Sequence, residues 1–435
     1  MRLKRMAAIM AAGMLCAPQA QAQIEIQWWH SMGGQLGEAL NELANKFNAE
    51  QKDYRIVTSY KGSYPESMTA AIAAFRAGQA PHLLQVFEVG TATMMAAKGA
   101  VKPVYQLMKE QGEPFDPKAY LPTVTGYYSD AQGNMLSLPF NSSTALFYID
   151  RNKFKQAGLK PEPPRTWKEL IAAAEKMKAA GQTCVYTTGW PSWVHVENFS
   201  AWHNLPIGTK QNGMAGLDTQ FTINSPAHVK HVEMLADMAK RGLFTYAGRT
   251  NQADSRFASG ECAMATISAG ALGNIIKTGK TDWQISVLPY HDDVKDAPQN
   301  SVIGGASLWV MSGRKPEEYK GVAKFMSFLS RPEVQMDWHM KTGYVPITLA
   351  AFELTKKSGF YDKNPGRDMA VRQLTNKAPT ENSKGLRFGN FVQGREVIQE
   401  EMEAAIAGKK DPKEALDDAA RRGNEILRKF EAANK

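Results

Sequence analysis

The sequence predicts an α/β protein of two lobes, each an open sheet flanked by helices, joined by multiple hinge crossings. Three observations carry this. A strand-helix-strand unit follows the N-terminal leader, residues 139–170 run a small polar segment, a strand and two capped helices in unbroken order, and 435 residues pass without an internal repeat or low-complexity linker. A chain this long exceeds the usual single domain. Two lobes with no flexible tether must be joined through interior segments crossed more than once, a design that permits hinged closure.

At the start of the chain, Arg2, Lys4 and Arg5 precede an apolar run from Met6 to Ala17. Ala20-Gln21-Ala22 then places small residues at the two positions a signal peptidase reads. This predicts a cleavable export signal over 1–22 and a mature chain beginning near Gln23, in the periplasm or the medium. Leu15 is too bulky to precede a lipoprotein acceptor at Cys16, which argues against a lipid anchor. No later window approaches the roughly 18 uninterrupted apolar residues that span a bilayer.

Ile24 to Trp28 reads as a strand. Leu36, Leu40, Leu43 and Phe47 follow at helical spacing and place one apolar stripe on a helix, and Tyr54 to Tyr60 reads as the next strand. The unit repeats through Met68 to Phe75 and Leu83 to Phe87, which indicates an open α/β sheet. Asn141, Ser142, Ser143 and Thr144 put compact polar groups, with room for a ligand, before the apolar strand Ala145 to Tyr148. Phe154 and Leu159 bracket a short helix ended by Gly158. Pro163 and Pro164 prevent its continuation, and Thr166 with Glu169 forms a capping box for the next helix. Near the C-terminus, Asp411 and Pro412 start a helix whose buried side is marked by Leu416, Ala420, Leu427 and Phe430.

Short segments with small residues or proline are the expected crossings: Ser142 to Thr144, Ile303 to Ala306 and Tyr344 to Thr348. They divide the chain into a first lobe of residues 23–143 and 305–350 and a second of residues 144–304 and 351–435.

The chain holds 52 basic and 43 acidic residues, and its net charge of +9 falls to +6 without the leader's three basic residues. The basic residues are scattered, with no aromatic-interleaved stripe, which argues against a nucleic-acid partner. Cys184 and Cys262 are the two cysteines beyond the leader. An oxidising compartment permits them to pair, yet one distant pair is not a disulfide framework, and their redox state stays open.

Nothing in the sequence supports catalysis. The eight histidines include none in a nucleophile context, and Gly-x-Ser-x-Gly is absent. Gly279-Lys280-Thr281 resembles the end of a phosphate loop, but Asn274 stands where the loop needs glycine. His228 and His231, three apart in a helix starting near Ser225-Pro226, offer two metal ligands without a third. A solvated helix face is the simpler reading. Glu88, Glu197 and the other carboxylates are too dispersed to pair as acid and base. No cofactor and no metal are expected.

Binding has better support. Trp190 and Trp193 lie in a polar, turn-rich segment, where exposed aromatic faces suit the C–H face of a sugar or polyol. Arg395 follows a glycine- and aromatic-rich stretch and, taken alone, reads as a surface arginine beside Glu396.

A larger pattern gathers these residues. In order along the chain stand WHSMGG (29–34), FNAE (47–50), YKGSY (60–64), LLQVFEVGTATMMA (83–96), TVTGYYSD (123–130), PFNSST (139–144), ENFSAW (197–202), KDAPQN (295–300), IGGASLWVM (303–311) and KTGYVPIT (341–348). The chain resembles, over almost its whole mature length, the periplasmic sn-glycerol-3-phosphate-binding components of ABC importers. These belong to the extracellular solute-binding proteins related to maltose-binding protein. The resemblance implies a two-lobe fold of the class II periplasmic-binding-protein type and a non-catalytic receptor. It implies phosphate contacts at Tyr64, Ser143, Ser268, Gly305, Tyr344 and Arg395, glycerol hydroxyls on Glu88, and a wall for glycerol from Trp190 and Trp193. Glycerophosphodiesters such as glycerophosphocholine would also be ligands. The implied partners are inner-membrane permease subunits, two of them with an ATPase dimer, served by a monomeric receptor. Pro191 between the tryptophans and Lys377 to Glu381 depart from the family pattern. A sugar or oligosaccharide receptor and a secreted glycerophosphodiesterase are the alternatives. The first has no need of Arg395 with its serines and tyrosines, and the second needs metal-ligating carboxylates or paired histidines.

Overall fold

The computed structural model describes residues 23–435, and the expected export signal at 1–22 lies outside the described residues. Among the described residues no helix is long and apolar enough to cross a membrane. Two sheets organise the chain. The first holds β1 (Ile24–His30), β2 (Tyr54–Tyr60), β3 (Leu83–Phe87), β4 (Val101–Lys102) and β5 (Leu138–Ser143). The second holds β6 (Ala145–Asp150), β7 (Cys184–Thr188), β8 (Phe244–Tyr246), β9 (Cys262–Ser268) and β10 (Trp283–Ser286). The chain then returns to the first sheet as β11 (Gly304–Met311), so each lobe is discontinuous in sequence.

In the first sheet the order is β2-β1-β3-β11-β4, with β5 also paired to β11. The three N-terminal strands run parallel, as the strand-helix-strand pattern requires, while β11 runs antiparallel to β3, β4 and β5. The second sheet has the order β10-β6-β9-β7-β8. Its strand β6 is buried at every residue, which explains why its sequence is an apolar run rather than an alternation.

The helices form where the sequence signals them. Helix Gly34–Glu50 buries Leu40, Leu43 and Phe47, the predicted stripe. Thr166 caps helix Trp167–Ala179 through the Glu169 amide while the Glu169 carboxylate returns to the Thr166 amide. Asp411 caps helix Pro412–Asn434 through the amides of Lys413 and Glu414. A cap of this kind is worth about 1 kcal/mol.

Between β5 and β6 only Thr144 intervenes, and its hydroxyl is fully buried in a polar network. It donates to the Val302 carbonyl at 3.0 Å and lies 2.7 Å from the Ser301 hydroxyl, while Gln373 Nε2 ties Ser301 and the Ala145 carbonyl together. Residues 301–304 therefore run beside the 142–144 passage. The Val345 amide joins them by donating to the Ser142 carbonyl at 2.8 Å. Beyond Val345 the chain stays near the first lobe, with helix Leu349–Lys357 packed on helix Pro332–Thr342. It meets β10 of the second lobe over residues 363–366, where Gly366 lies against Ile285.

Cys184 and Cys262 form a disulfide. They are register partners on β7 and β9, so the sheet itself brings together two sulfurs 78 residues apart.

The solvated-face reading of His228 and His231 is corrected by the structure. Both are buried within a cluster that includes His195, His203 and His291. His231 bridges His195 Nδ1 at 3.0 Å and His291 Nε2 at 3.1 Å, and His228 sits between the hydroxyls of Ser200 and Ser225, each at 2.7 Å. His195 Nε2 meets the Tyr186 hydroxyl at 3.2 Å. Both ring nitrogens of His195, His228 and His231 are thus engaged, which leaves none for a metal. Among the described residues the one group spaced for an ion is Cys184, Glu261 and Cys262, whose sulfurs are bonded to each other.

Candidate functional site

Strand ends and helix starts from both lobes meet where the chain passes between the sheets. From the first lobe, β3 ends at Phe87 and turns at once into Glu88, while helix Tyr64–Arg76 begins at Tyr64 behind the Ser63 and Glu66 capping box. Tyr64 stacks on Phe87 with ring centroids 5.1 Å apart. Its hydroxyl accepts from Asn141 Nδ2 at 2.9 Å, and Asn141 Oδ1 accepts from Gln85 Nε2 at 2.8 Å. The small polar run after Phe140 thus does more than leave room, because fully buried Asn141 fixes the Tyr64 phenol.

Gly305 pairs with Ser142 on β11 and β5, next to Ser143 opposite Gly304. Its φ is +87°, and a Cβ there would lie 1.8 Å from the Asn141 carbonyl oxygen, so this position needs glycine twice over. Tyr344 follows Gly343 at the end of helix Pro332–Thr342 and stacks on Trp338. From the second lobe come Ser268 at the end of β9, Trp190 and Trp193 after β7, and Arg395 in the first turns of helix Phe391–Ile406. Ser268 caps its own turn by accepting from the Gly270 amide at 3.1 Å.

These elements enclose a cavity of about 60 Å³ whose walls are Tyr64, Phe87, Glu88, Ser143, Trp190, Trp193, Ser268, Gly305, Tyr344 and Arg395. All nine residues singled out from the sequence lie on it. Phe87, the tenth, was missed. Its position directly before Glu88 was the available signal.

At the floor sits an ion-pair triad. Arg395 donates through Nε and Nη2 to the two oxygens of Glu197 at 2.8 and 2.7 Å, and through Nη2 to Glu88 Oε1 at 2.6 Å. All three side chains are buried. Arg395 is therefore no surface arginine, and Glu197 and Glu88, dispersed in sequence, converge. The Glu197 signal was its place four residues after Trp193, one helical turn on. Burial raises the Glu88 carboxyl above its ordinary range, against the pull of Arg395 and with Glu197 adding to the rise. Burial alone would lower the Arg395 guanidinium, but Glu197 and Glu88 together hold it above its usual value. Burial pushes Tyr344 up to about 12 and Tyr64 well above its ordinary value, so both phenols stay protonated and can donate.

The tryptophans are less exposed than their polar context suggested. Trp193 is buried with Val194, Trp202 and Leu288, and an added Cβ on Gly304 would lie 2.3 Å from its ring. Trp190, half-buried with φ +50°, borders the cavity from a strained turn held by its amide hydrogen bond to the Thr250 carbonyl at 2.9 Å. A guanidinium, the Glu88 carboxylate, four hydroxyls and aromatic walls can grip a small polar solute through many hydrogen bonds. Among the described residues no histidine, lysine or cysteine lines this cavity.

Residues 42–368 match the family model of the bacterial extracellular solute-binding proteins. The sn-glycerol-3-phosphate-binding periplasmic protein UgpB of Escherichia coli is 52% identical over 431 residues, covering 99% of this chain and 98% of the relative. Its counterpart in Pectobacterium atrosepticum is 52% identical over 433 residues, covering 99% and 97%. Among solved structures, UgpB from Mycobacterium tuberculosis in complex with glycerophosphocholine superposes with a TM-score of 0.79 at 20% identity, over 93% of this chain and 98% of the other. Maltose-bound MalE3 of T. maritima gives 0.76 at 18% identity, over 93% and 100%. The two-lobe fold is thus that of the MalE-like binding proteins, and the chain belongs to the bacterial extracellular solute-binding protein family.

Proposed function

We propose that this protein is a periplasmic receptor that closes on sn-glycerol 3-phosphate, accepts glycerophosphodiesters such as glycerophosphocholine, and delivers them to an inner-membrane ABC permease. It is a solute receptor and not an enzyme, in keeping with its relatives. The observation that carries the ligand assignment is the single cavity on which Glu88, held by Arg395, faces the hydroxyls of Tyr64, Ser143, Ser268 and Tyr344. Glu88 repels a phosphate but accepts two alcohol protons well, so it takes the glycerol hydroxyls. The phosphate takes the four hydroxyl donors and Arg395 Nη1, because the carboxylates use Nε and Nη2. Gly305 lets the backbone approach, and Trp190 with Trp193 walls the glycerol. The receptor acts as a monomer, is exported by its leader, and docks on two permease subunits carrying an ATPase dimer.

Calorimetric titration of the mature protein with glycerol 3-phosphate, glycerophosphocholine, inorganic phosphate and maltose tests this. Tight binding of the first two alone is the expected result. Preference for maltose would establish the sugar-receptor reading instead, and release of glycerol 3-phosphate from glycerophosphocholine would establish a diesterase.

A further inference from the structure

Beside this cavity, and sharing Tyr64, Trp190, Ser268 and Tyr344 with it, lies a larger cleft of about 450 Å³ between the lobes. Among the described residues no lysine, arginine or histidine lines it, and Asp254 is its one charged group. Asp254 Oδ1 is buried without a hydrogen-bond partner, and the same is true of Gln35 Oε1, which reaches the cleft from the opposite lobe. A buried acceptor left unpaired costs about 1 to 3 kcal/mol, and more if charged. Two such acceptors on one cleft therefore call for donors or a cation in it.

We propose that this cleft is the head-group subsite for a cationic amino alcohol esterified to the phosphate of a glycerophosphodiester, with Asp254 as its counter-charge. The proposal rests on the receptor function above. A diester carries its second alcohol on the phosphate, so the head group must leave the phosphate subsite through the shared Ser268 and Tyr344 wall into this cleft. Tyr60, Tyr64, Trp190 and Tyr344 supply aromatic faces there, which attract an ammonium through the ring quadrupole. The Gly189 backbone passes close to the carboxylate, since a Cβ added there would lie 3.4 Å from Oδ1, and Trp190 is the next residue. An aromatic wall and a carboxylate thus meet at one corner.

Burial raises the Asp254 carboxyl to about 8, and the groups coupled to it, Tyr148 and Tyr344, are themselves pushed up and carry no charge near neutrality. A neutral head group leaves that carboxyl uncompensated, whereas an ammonium restores its ionised form.

The test is titration of wild type and Asp254→Asn with glycerol 3-phosphate, glycerophosphoglycerol, glycerophosphoethanolamine and glycerophosphocholine. The substitution should weaken both cationic diesters about tenfold or more and change glycerol 3-phosphate and glycerophosphoglycerol by less than about threefold. Gln35→Leu should produce the same selective loss in smaller measure, and serves alone if the Asp254 variant fails to fold. An equal loss across all four ligands, or no loss for the cationic pair, overturns the subsite and leaves the receptor reading intact. Failure of the wild type to bind glycerol 3-phosphate overturns that reading and the subsite with it.

Discussion

Arg395 Nη2, on a helix of the second lobe, donates to Glu88 Oε1 of the first at 2.6 Å, while the same guanidinium is gripped by Glu197 of its own lobe. This contact bridges the two lobes at the floor of the cavity. Two carboxylates share one cation there, so the triad carries a net negative charge whenever both are ionised. On the function proposed above, glycerol 3-phosphate orients by polarity, its hydroxyls toward Glu88 and its phosphate toward the tyrosine and serine hydroxyls.

Arg395→Ala should weaken glycerol 3-phosphate binding by about 2 to 5 kcal/mol, and should also cost about 3 to 5 kcal/mol of stability by leaving Glu88 and Glu197 buried without a partner. Glu88→Gln keeps the volume and removes one of the two competing charges. It should fold normally and lose affinity for glycerol 3-phosphate while keeping inorganic phosphate. Calorimetry and urea denaturation of both variants check these outcomes.

Trp190→Ala is the cleaner probe of the aromatic wall, because Trp190 borders the cavity and is only partly buried at the edge of the cluster that encloses Trp193. The loss should be on the order of 1 kcal/mol for glycerol 3-phosphate and close to zero for inorganic phosphate. Trp193→Ala should in addition cost about 3 to 5 kcal/mol of stability, since it empties a buried cluster against Gly304. Equal losses for both ligands in the Trp190 variant would count against the wall.

Gly305→Ala should destabilise the protein by about 2 kcal/mol or more, from a left-handed φ and a clash with the Asn141 carbonyl. Because Asn141 also holds Tyr64, ligand affinity should fall with it. Denaturation midpoints and a glycerol 3-phosphate titration report the two effects separately.

The histidine cluster should make stability sensitive to acid. Burial lowers His195 and His203 to about 3, His228 and His291 to about 4, and holds His231 well below its ordinary value. Each is neutral in the folded protein while its unfolded counterpart protonates near pH 6.5, so below that pH the unfolded state binds more protons. The cluster's contribution should be level above pH 7 and fall from about 6.5 toward 4, each histidine contributing up to about 1.4 kcal/mol per pH unit in that window, against the opposite slope that Asp254, raised to about 8, adds from about pH 4 to 8. Urea midpoints measured between pH 7 and pH 4.5 check this, and His203→Gln should flatten the slope.

Local signals were fully legible in the chain. The stripe of Leu40, Leu43 and Phe47, the Thr166–Glu169 box and the Asp411 cap depend on neighbours within one or two helical turns, so sequence spacing alone determined them. The family resemblance went further: its blocks contain Tyr64, Glu88, Ser143, Gly305 and Tyr344, and what it implies adds Trp190, Trp193, Ser268 and Arg395, a set of cavity residues that no periodicity could have assembled. What only the tertiary structure decided were relationships across long separations. These are the convergence of Glu88 and Glu197 on Arg395, the pairing of Cys184 with Cys262 through the β7 and β9 register, the burial of Trp193 and of the histidines, and the unpaired Asp254 beside the ligand cavity. A charge or an aromatic ring on a helix face reads as solvated until another element covers it. Whether one does depends on sheet order and lobe closure, which are set by the summed packing of both lobes and by no local segment.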